Sequence, residues 1–251
     1  MRDALTEPLR LEDAFPGEDW THWKSLGDDY QLKKKMCSDR AVMPGVLGEL
    51  IDELRSPDFL MWLEEITGIK GLIPDPYLTG GGLHLSTVGG MLTPHTDFHL
   101  YERLGLFRQV NVLVYLSSDY APGFGGELGL WERGGKLEPV EIVEPEIGTL
   151  VAFKTDDKSV HGFVQPCRFN RKSVALYYYT AQDAREFSGD YTTHWFDDRE
   201  NSRVGRPVVW RARTMLYRLA LQISRAFSLA AHLLNPRQGL GWWRWRNENK
   251  S

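Results

Sequence analysis

In the segment TPHTDFH, His95 and Asp97 stand two residues apart, and a further histidine, His161, follows near the end of another predicted strand. On a strand, residues i and i+2 point to the same face, so His95 and Asp97 can bring an imidazole and a carboxylate to one point. Two neutral imidazoles and one carboxylate form a facial ligand set for iron(II), leaving the other positions of the octahedron open for a cosubstrate and dioxygen. A His-x-Asp pair recurs freely in a chain with seven histidines, and alone it also reads as a polar pair at a turn. The segment RKSVALYYYT, beyond His161, adds a second group. Arg171 and Ser173 share a strand face, where the guanidinium offers a two-pronged donor and the hydroxyl a third. That pair suits a carboxylate, and beside an iron with open positions it suits a dicarboxylate cosubstrate. In isolation, Arg171 next to Lys172 reads as an exposed basic turn residue.

The elements that must position these residues are legible in part. Residues 1–40 are charged and irregular, with Trp20 and Trp23 as anchors. Pro44 opens a helix with Val46, Leu47, Leu50, Ile51 and Leu54 at helical spacing. Ser56 caps a second helix that has Pro57 in its first turn, Phe59, Leu60, Leu63 and Ile66 on its buried face, and Gly68 at its end. Short apolar or alternating runs follow at 83–88, 109–116, 127–132, 140–143, 149–153 and 173–179, which predicts an antiparallel sandwich or barrel. Gly89-Gly90, Gly125-Gly126 and Gly134-Gly135 suit tight connections. Residues 208–234 read as one long amphipathic helix. Leu216, Leu219, Ile223, Phe227, Ala230 and Leu234 line one face, Arg211, Arg218, Arg225 and His232 the other, and Asn235-Pro236 stops it.

The bulk numbers frame this reading. A chain of 251 residues with 42% hydrophobic and 25% charged residues fits a soluble globular protein. No run approaches a membrane span, and the acids near the start do not fit a signal peptide, so a cytoplasmic location is expected. Cys37 and Cys167 define no disulfide framework and no Cys-rich zinc site. The net charge of -4 is unevenly spread: residues 199–251 hold 11 Lys/Arg against 2 Asp/Glu. The remainder is correspondingly acidic, which argues against nucleic acid as a partner.

The stretches GGGLHLSTVGGMLTPHTDFH, RQVNVLVYLSSDY, GFGGELGLW, IGTLVAFKT, SVHGFVQP and RKSVALYYYT, over about 83–180, resemble in order and spacing the 2-oxoglutarate/iron(II)-dependent dioxygenases of the prolyl-4-hydroxylase-like branch. The resemblance implies a mainly β (α+β) fold: a double-stranded β-helix, or jelly-roll, core at about 76–182, helices before it over about 1–75, and the basic helical extension 199–251 after a single catalytic domain, 1–198. It implies that His95, Asp97 and His161 bind Fe(II), and that Arg171 binds the distal carboxylate of 2-oxoglutarate with Ser173 assisting and Tyr115 placing its hydroxyl on the same group. Relatives carry a cosubstrate-binding tyrosine on the strand before His-x-Asp. Here that strand reads LHLSTV, and His84 or Ser86 takes its place, the choice staying open. Arg171 stands where collagen-type prolyl hydroxylases have lysine, which argues against close kinship with them. The presence of Asp97 favours hydroxylation over halogenation.

The implied reaction couples oxidative decarboxylation of 2-oxoglutarate, to succinate and carbon dioxide, to hydroxylation of an unactivated C–H bond, with ascorbate as a candidate reductant. A small or carrier-bound metabolite is the expected substrate. Peptidyl proline is the alternative, and a non-catalytic metal-binding jelly-roll sensor or structural module is the alternative from another class. Residues placed to line the substrate side are His99, Tyr101, Arg103, Arg108 and Trp131, each of which also reads as a solvated loop or packing residue. For the basic C-terminal helix, packing on the barrel or on a second subunit in a homodimer is favoured. Contact with an anionic membrane, helped by Trp242, Trp243 and Trp245, and steering of an anionic substrate are the other readings.

Overall fold

The computed structural model describes residues 7–27, 30–101, 103–132, 138–156, 159–181, 193–195 and scattered positions between 215 and 234. The chain divides into two units, Met1–Asn201 and Ser202–Ser251. In the second, the described positions are helical. The rest of the expected 208–234 helix, the Trp-rich tail and Gly134-Gly135 lie outside the described residues.

In the first unit, α1 (Pro8–Asp13), β1 (Lys24–Leu26), β2 (Gln31–Cys37), α2 (Gly45–Leu54), α3 (Pro57–Thr67) and β3 (Ile73–Pro74) come before the strand-rich region. There β4 (Gly82–Leu92), β5 (His95–Thr96), β6 (Leu100–Tyr101), β7 (Leu106–Tyr115), β8 (Leu128–Glu132), β9 (Glu141–Val143), β10 (Leu150–Lys154), β11 (Ser159–Phe163) and β12 (Arg171–Thr180) follow, with β13 (His194–Trp195) last. The larger sheet runs β1-β2-β4-β12-β7-β10, with β3 on β12 and β6 on β7; the smaller runs β13-β5-β11-β8-β9. Every strand pairing among the described residues is antiparallel, the architecture expected of a jelly-roll core.

The two helices form as their sequence dictates. The Ser56 hydroxyl accepts from the Phe59 backbone N–H, capping α3, and Gly68 closes it in the left-handed conformation at φ 69°. Ile66 departs from expectation. It is 54% exposed although it continues the Phe59–Leu63 stripe, so the core beneath α3 ends before the last turn. The stretch 1–40 also departs, because β1 and β2 lie within it and β2 pairs with β4. Its sequence, QLKKKMC, has three consecutive lysines and no alternation to mark a strand; backbone pairing near the sheet margin builds it. Gly89-Gly90 is no connection between strands but lies inside β4, where Gly89 donates to Cys167 O and Gly90 O accepts from Cys167.

Strand alternation gives the larger sheet two unlike faces. Leu83, Leu85, Val110, Val112, Val114, Val174, Leu176 and Tyr178 join Leu47, Leu50, Ile51, Leu54, Phe59 and Leu63 of the helices in one buried core. The Tyr178 hydroxyl donates to Leu54 O at 2.6 Å, tying β12 to α2. Trp20 and Trp23, edge-on at 5.1 Å, pack against this core. Leu50→Ala should lower stability by about 2–5 kcal/mol through the cavity it leaves, read as a fall in the urea midpoint with an unchanged slope. Among the described residues no helix is long and apolar enough to cross a membrane.

Candidate metal and cosubstrate site

The opposite face of the larger sheet is polar, and pairing register explains what gathers there. Ser173 of β12 lies between His84 of β4 and Tyr115 of β7, and Arg171 lies across from Ser86. Directly paired residues of adjacent strands share a face, so these five side chains collect on one side of the sheet. All five are buried. The Arg171 Nε donates to Gly126 O at 2.8 Å, and Nη1 lies 3.4 Å from the Ser173 hydroxyl. Its guanidinium sits 4.6 Å from the Tyr115 ring and 4.5 Å from that of Phe163. The Tyr115 hydroxyl is buried, and no described residue makes an aligned hydrogen bond to it. Burial raises its pKa, and Arg171 beside it pulls the other way. His84 spends Nε2 on Gly80 O, 3.0 Å away, and is held neutral by burial and by the nearby Lys34 and Arg171 cations.

Gly126 carries this arrangement. Its φ of +76° favours glycine, and a Cβ there would meet Cys167 Sγ at 2.8 Å and Arg171 Cδ at 3.1 Å. Gly126→Ala should therefore displace Arg171. The expected outcome is a loss of about 1–3 kcal/mol in stability together with weaker 2-oxoglutarate binding, checked by thermal melting with and without the keto acid.

The smaller sheet supplies the second group. His161 of β11 is paired directly with His95 of β5, and Asp97 follows just beyond β5. The ligand atoms of His95, Asp97 and His161 all lie within 4.8 Å of one another, a group that could hold a metal ion. His95 Nε2 is 3.7 Å from Asp97 Oδ1, and His161 Nε2 is 3.3 Å from Oδ2. Both imidazoles are oriented through Nδ1: His95 on Thr93 O at 2.9 Å, His161 on Ser159 O at 3.4 Å. This leaves the Nε2 atoms facing the carboxylate, as metal-binding histidines require. Burial lowers the His95 pKa to about 3, with His161 adding to the effect against Asp97. Burial alone would raise the Asp97 carboxyl, but Arg108, His161 and His95 outweigh it and hold it well below the usual carboxylate range. At neutral pH the set is therefore a neutral His95 and an ionised Asp97.

Sequence reasoning missed the partners of these ligands. Asn111 Nδ2 donates to Asp97 Oδ2 at 2.8 Å, and an Arg108 terminal nitrogen lies 3.0 Å from the same oxygen. Asn111 interrupts the apolar run Val110–Tyr115 of β7, a signal that could have marked it; Arg108 was expected at the substrate side, and it is instead 2% exposed and turned to Asp97. Trp195 of β13 pairs with His95 and lies 4.6 Å from its ring, with Tyr30 stacked on Trp195. No sequence pattern pointed to either.

The other residues expected near the substrate are scattered. His99 is buried with its ring 5.7 Å from Phe107. Tyr101 is buried and shares a 2.6 Å hydrogen bond with Thr79. Arg103 is exposed and lies over the Tyr77 ring. Trp131 is paired with Val160 and is one residue out of phase with His161, which puts it on the other face of the smaller sheet, away from the metal group.

Two imidazoles and a carboxylate suit a divalent iron with open positions, and the buried guanidinium with a buried tyrosine hydroxyl beside it suits an anionic cosubstrate. The class so defined is the iron-dependent oxygenases that consume a 2-oxo acid. The chain matches, over residues 81–179, the model of the 2OG-Fe(II) oxygenase superfamily. It is an oxygenase using Fe(II), 2-oxoglutarate and dioxygen.

Among solved structures, a prolyl-4-hydroxylase from Pseudomonas putida is similar at 17% identity, over 70% of this chain and 84% of that one, with a TM-score of 0.48. HygX from Streptomyces hygroscopicus, solved with nickel, 2-oxoglutarate and hygromycin B, is similar at 16% identity, over 69% and 86%, with a TM-score of 0.42. A Trichoplax adhaerens prolyl hydroxylase, solved with a hypoxia inducible factor peptide fragment, is similar at 18% identity, over 70% and 76%, with a TM-score of 0.44. No curated protein sequence matches the chain.

Proposed function

We propose that His95, Asp97 and His161 hold Fe(II), that Arg171 binds the distal carboxylate of 2-oxoglutarate with Ser173 and Tyr115, and that the enzyme hydroxylates an unactivated C–H bond of a small or carrier-bound metabolite. The observation that carries this reading is the buried Arg171, fixed through Gly126 O and set beside a buried Tyr115 hydroxyl for which no described residue offers an aligned hydrogen bond. A buried cation and a buried hydroxyl left in this state await a polar anion. Ser86, directly across from Arg171, is the better substitute for the missing tyrosine, because His84 is committed to Gly80. Iron and 2-oxoglutarate bound here supply the oxidising power: the keto acid is decarboxylated to succinate and carbon dioxide, and one oxygen atom goes to the substrate. The chain supplies ionised Asp97, oriented imidazoles and a buried setting that keeps bulk water away.

The connections next to the β5 ligands in sequence, Thr93-Pro94 before the strand and Asp97–His99 after it, are short, which favours a compact ligand. We read 1–198 as the catalytic domain and 199–251 as a basic extension whose exposed apolar residues Leu216, Leu219, Ile223, Phe227 and Leu234 suit burial on a second copy. Two free buried thiols, Cys37 and Cys167, accord with a cytoplasmic location. Purified without oxygen, then given Fe(II), 2-oxoglutarate, ascorbate and air, the protein should release succinate in an iron-dependent manner, and screening metabolite pools for faster release identifies the substrate. A metal-loaded protein that neither binds 2-oxoglutarate nor forms succinate would refute the assignment.

A further inference from the structure

Arg108 and Asn111 are three residues apart on β7, a spacing that sends side chains to opposite faces of a regular strand. Here both reach Asp97. The register explains how: Val110 pairs with Tyr178, but Arg108 pairs with the adjacent Tyr179, so one extra residue, Gln109, is accommodated on β7. Such a bulge re-aims the side chains beyond it and turns Arg108 onto the site face. Once there, the Arg108 Nε donates to Asn111 Oδ1 at 2.9 Å, and the guanidinium lies 3.4 Å from the Tyr177 ring and 5.0 Å from that of Phe98.

From this geometry we infer that Arg108 and Asn111 form a clamp on Asp97 Oδ2, so that Asp97 offers the metal a single oxygen, Oδ1. The inference rests on the metal-ligand assignment above. Asn111 Nδ2 at 2.8 Å and the Arg108 terminal nitrogen at 3.0 Å both meet Oδ2, where His161 Nε2 also approaches, whereas among the described residues Oδ1 has only the His95 contact at 3.7 Å. The Arg108 contact is an ion pair and not an aligned hydrogen bond, so Asn111 sets direction and Arg108 supplies charge. A carboxylate free to swing could close on the metal through both oxygens and occupy a position that 2-oxoglutarate or dioxygen needs. The clamp removes that freedom before the metal arrives, the general role of partners that orient metal ligands. Arg108 and Asn111 are thus positioning residues acting through Asp97.

Anaerobic titration with Mn(II), and with Co(II) read by its absorption spectrum, tests this on the full-length protein. Asn111→Ala and Arg108→Gln should each weaken Mn(II) binding about 10–100-fold and alter the Co(II) spectrum, with near-UV circular dichroism unchanged. Because the two act as a unit, the double variant should bind little worse than the weaker single one. His161→Ala is the reference. If it loses Mn(II) while both clamp variants bind Mn(II) normally and keep the wild-type Co(II) spectrum, the clamp is refuted and Arg108 reverts to a substrate or packing role. Tighter Mn(II) binding by Arg108→Gln would also refute it, showing a merely repelling charge. If His161→Ala binds Mn(II) as wild type does, the ligand assignment is what fails. Should Arg108→Gln not fold, Asn111→Ala, which keeps the buried cation, decides.

Discussion

Replacing His161 by alanine will abolish iron-dependent succinate formation, with a loss on the order of 10³-fold or more, equivalent to about 4 kcal/mol of transition-state stabilisation. The effect is large because the metal group has no substitute ligand in reach: among the described residues, His95, Asp97 and His161 are the only such cluster. Two ligands from β5 and its following loop cannot enclose an ion when the third, from the paired strand β11, is gone. The fold should survive. His161 lies on the smaller sheet, and the large apolar core is on the far side of the larger one. Equilibrium binding of Mn(II) and the melting temperature, measured side by side, separate metal loss from unfolding. A His161→Ala protein that still binds Mn(II) and turns over 2-oxoglutarate would remove His161 from the site.

Arg171 should give the second largest effect, of a different kind. Arg171→Met will raise the 2-oxoglutarate concentration needed for half-maximal succinate formation by roughly 10²-fold, corresponding to the 2–5 kcal/mol lost when one partner of a buried charged pair is truncated. Mn(II) binding should stay near the wild-type value, because the guanidinium touches Gly126, Ser173, Tyr115 and Phe163 and none of the metal group. Arg171→Lys should recover only part of the loss. An ammonium is a point donor and cannot bond Gly126 O through one arm while offering a planar fork through the other. Equal loss of Mn(II) and 2-oxoglutarate binding in Arg171→Met would mean that Arg171 holds the fold and not the cosubstrate.

Much of the fold could be read along the chain. The α2 and α3 helices were legible because their apolar residues recur at helical spacing and Ser56, Pro57 and Gly68 mark the ends of α3. Six strands were legible because short apolar runs alternate with turn residues. The β2 strand was not, since three lysines carry no alternation and its place comes from backbone pairing with β4. Trp131 was legible only as an aromatic beyond the GGEL turn; its phase relative to His161 is a property of the β8–β11 register.

The candidate site divides along the same line. Residue chemistry and local spacing are sufficient to nominate His95 with Asp97, and Arg171 with Ser173, because strand periodicity is a local rule. Their assembly is not local. His161 meets His95 across paired strands, and Ser173 is flanked by His84 and Tyr115 through register alone. Arg108 is the clearest case. Regular alternation would turn it away from Asn111, and one extra residue in β7 turns it toward Asp97. By itself, the sequence determined which chemical groups are present and the local periodicity of their strands. Tertiary structure decided which of those groups face one another, because strand pairing, register and a single bulge depend on partners distant in the chain.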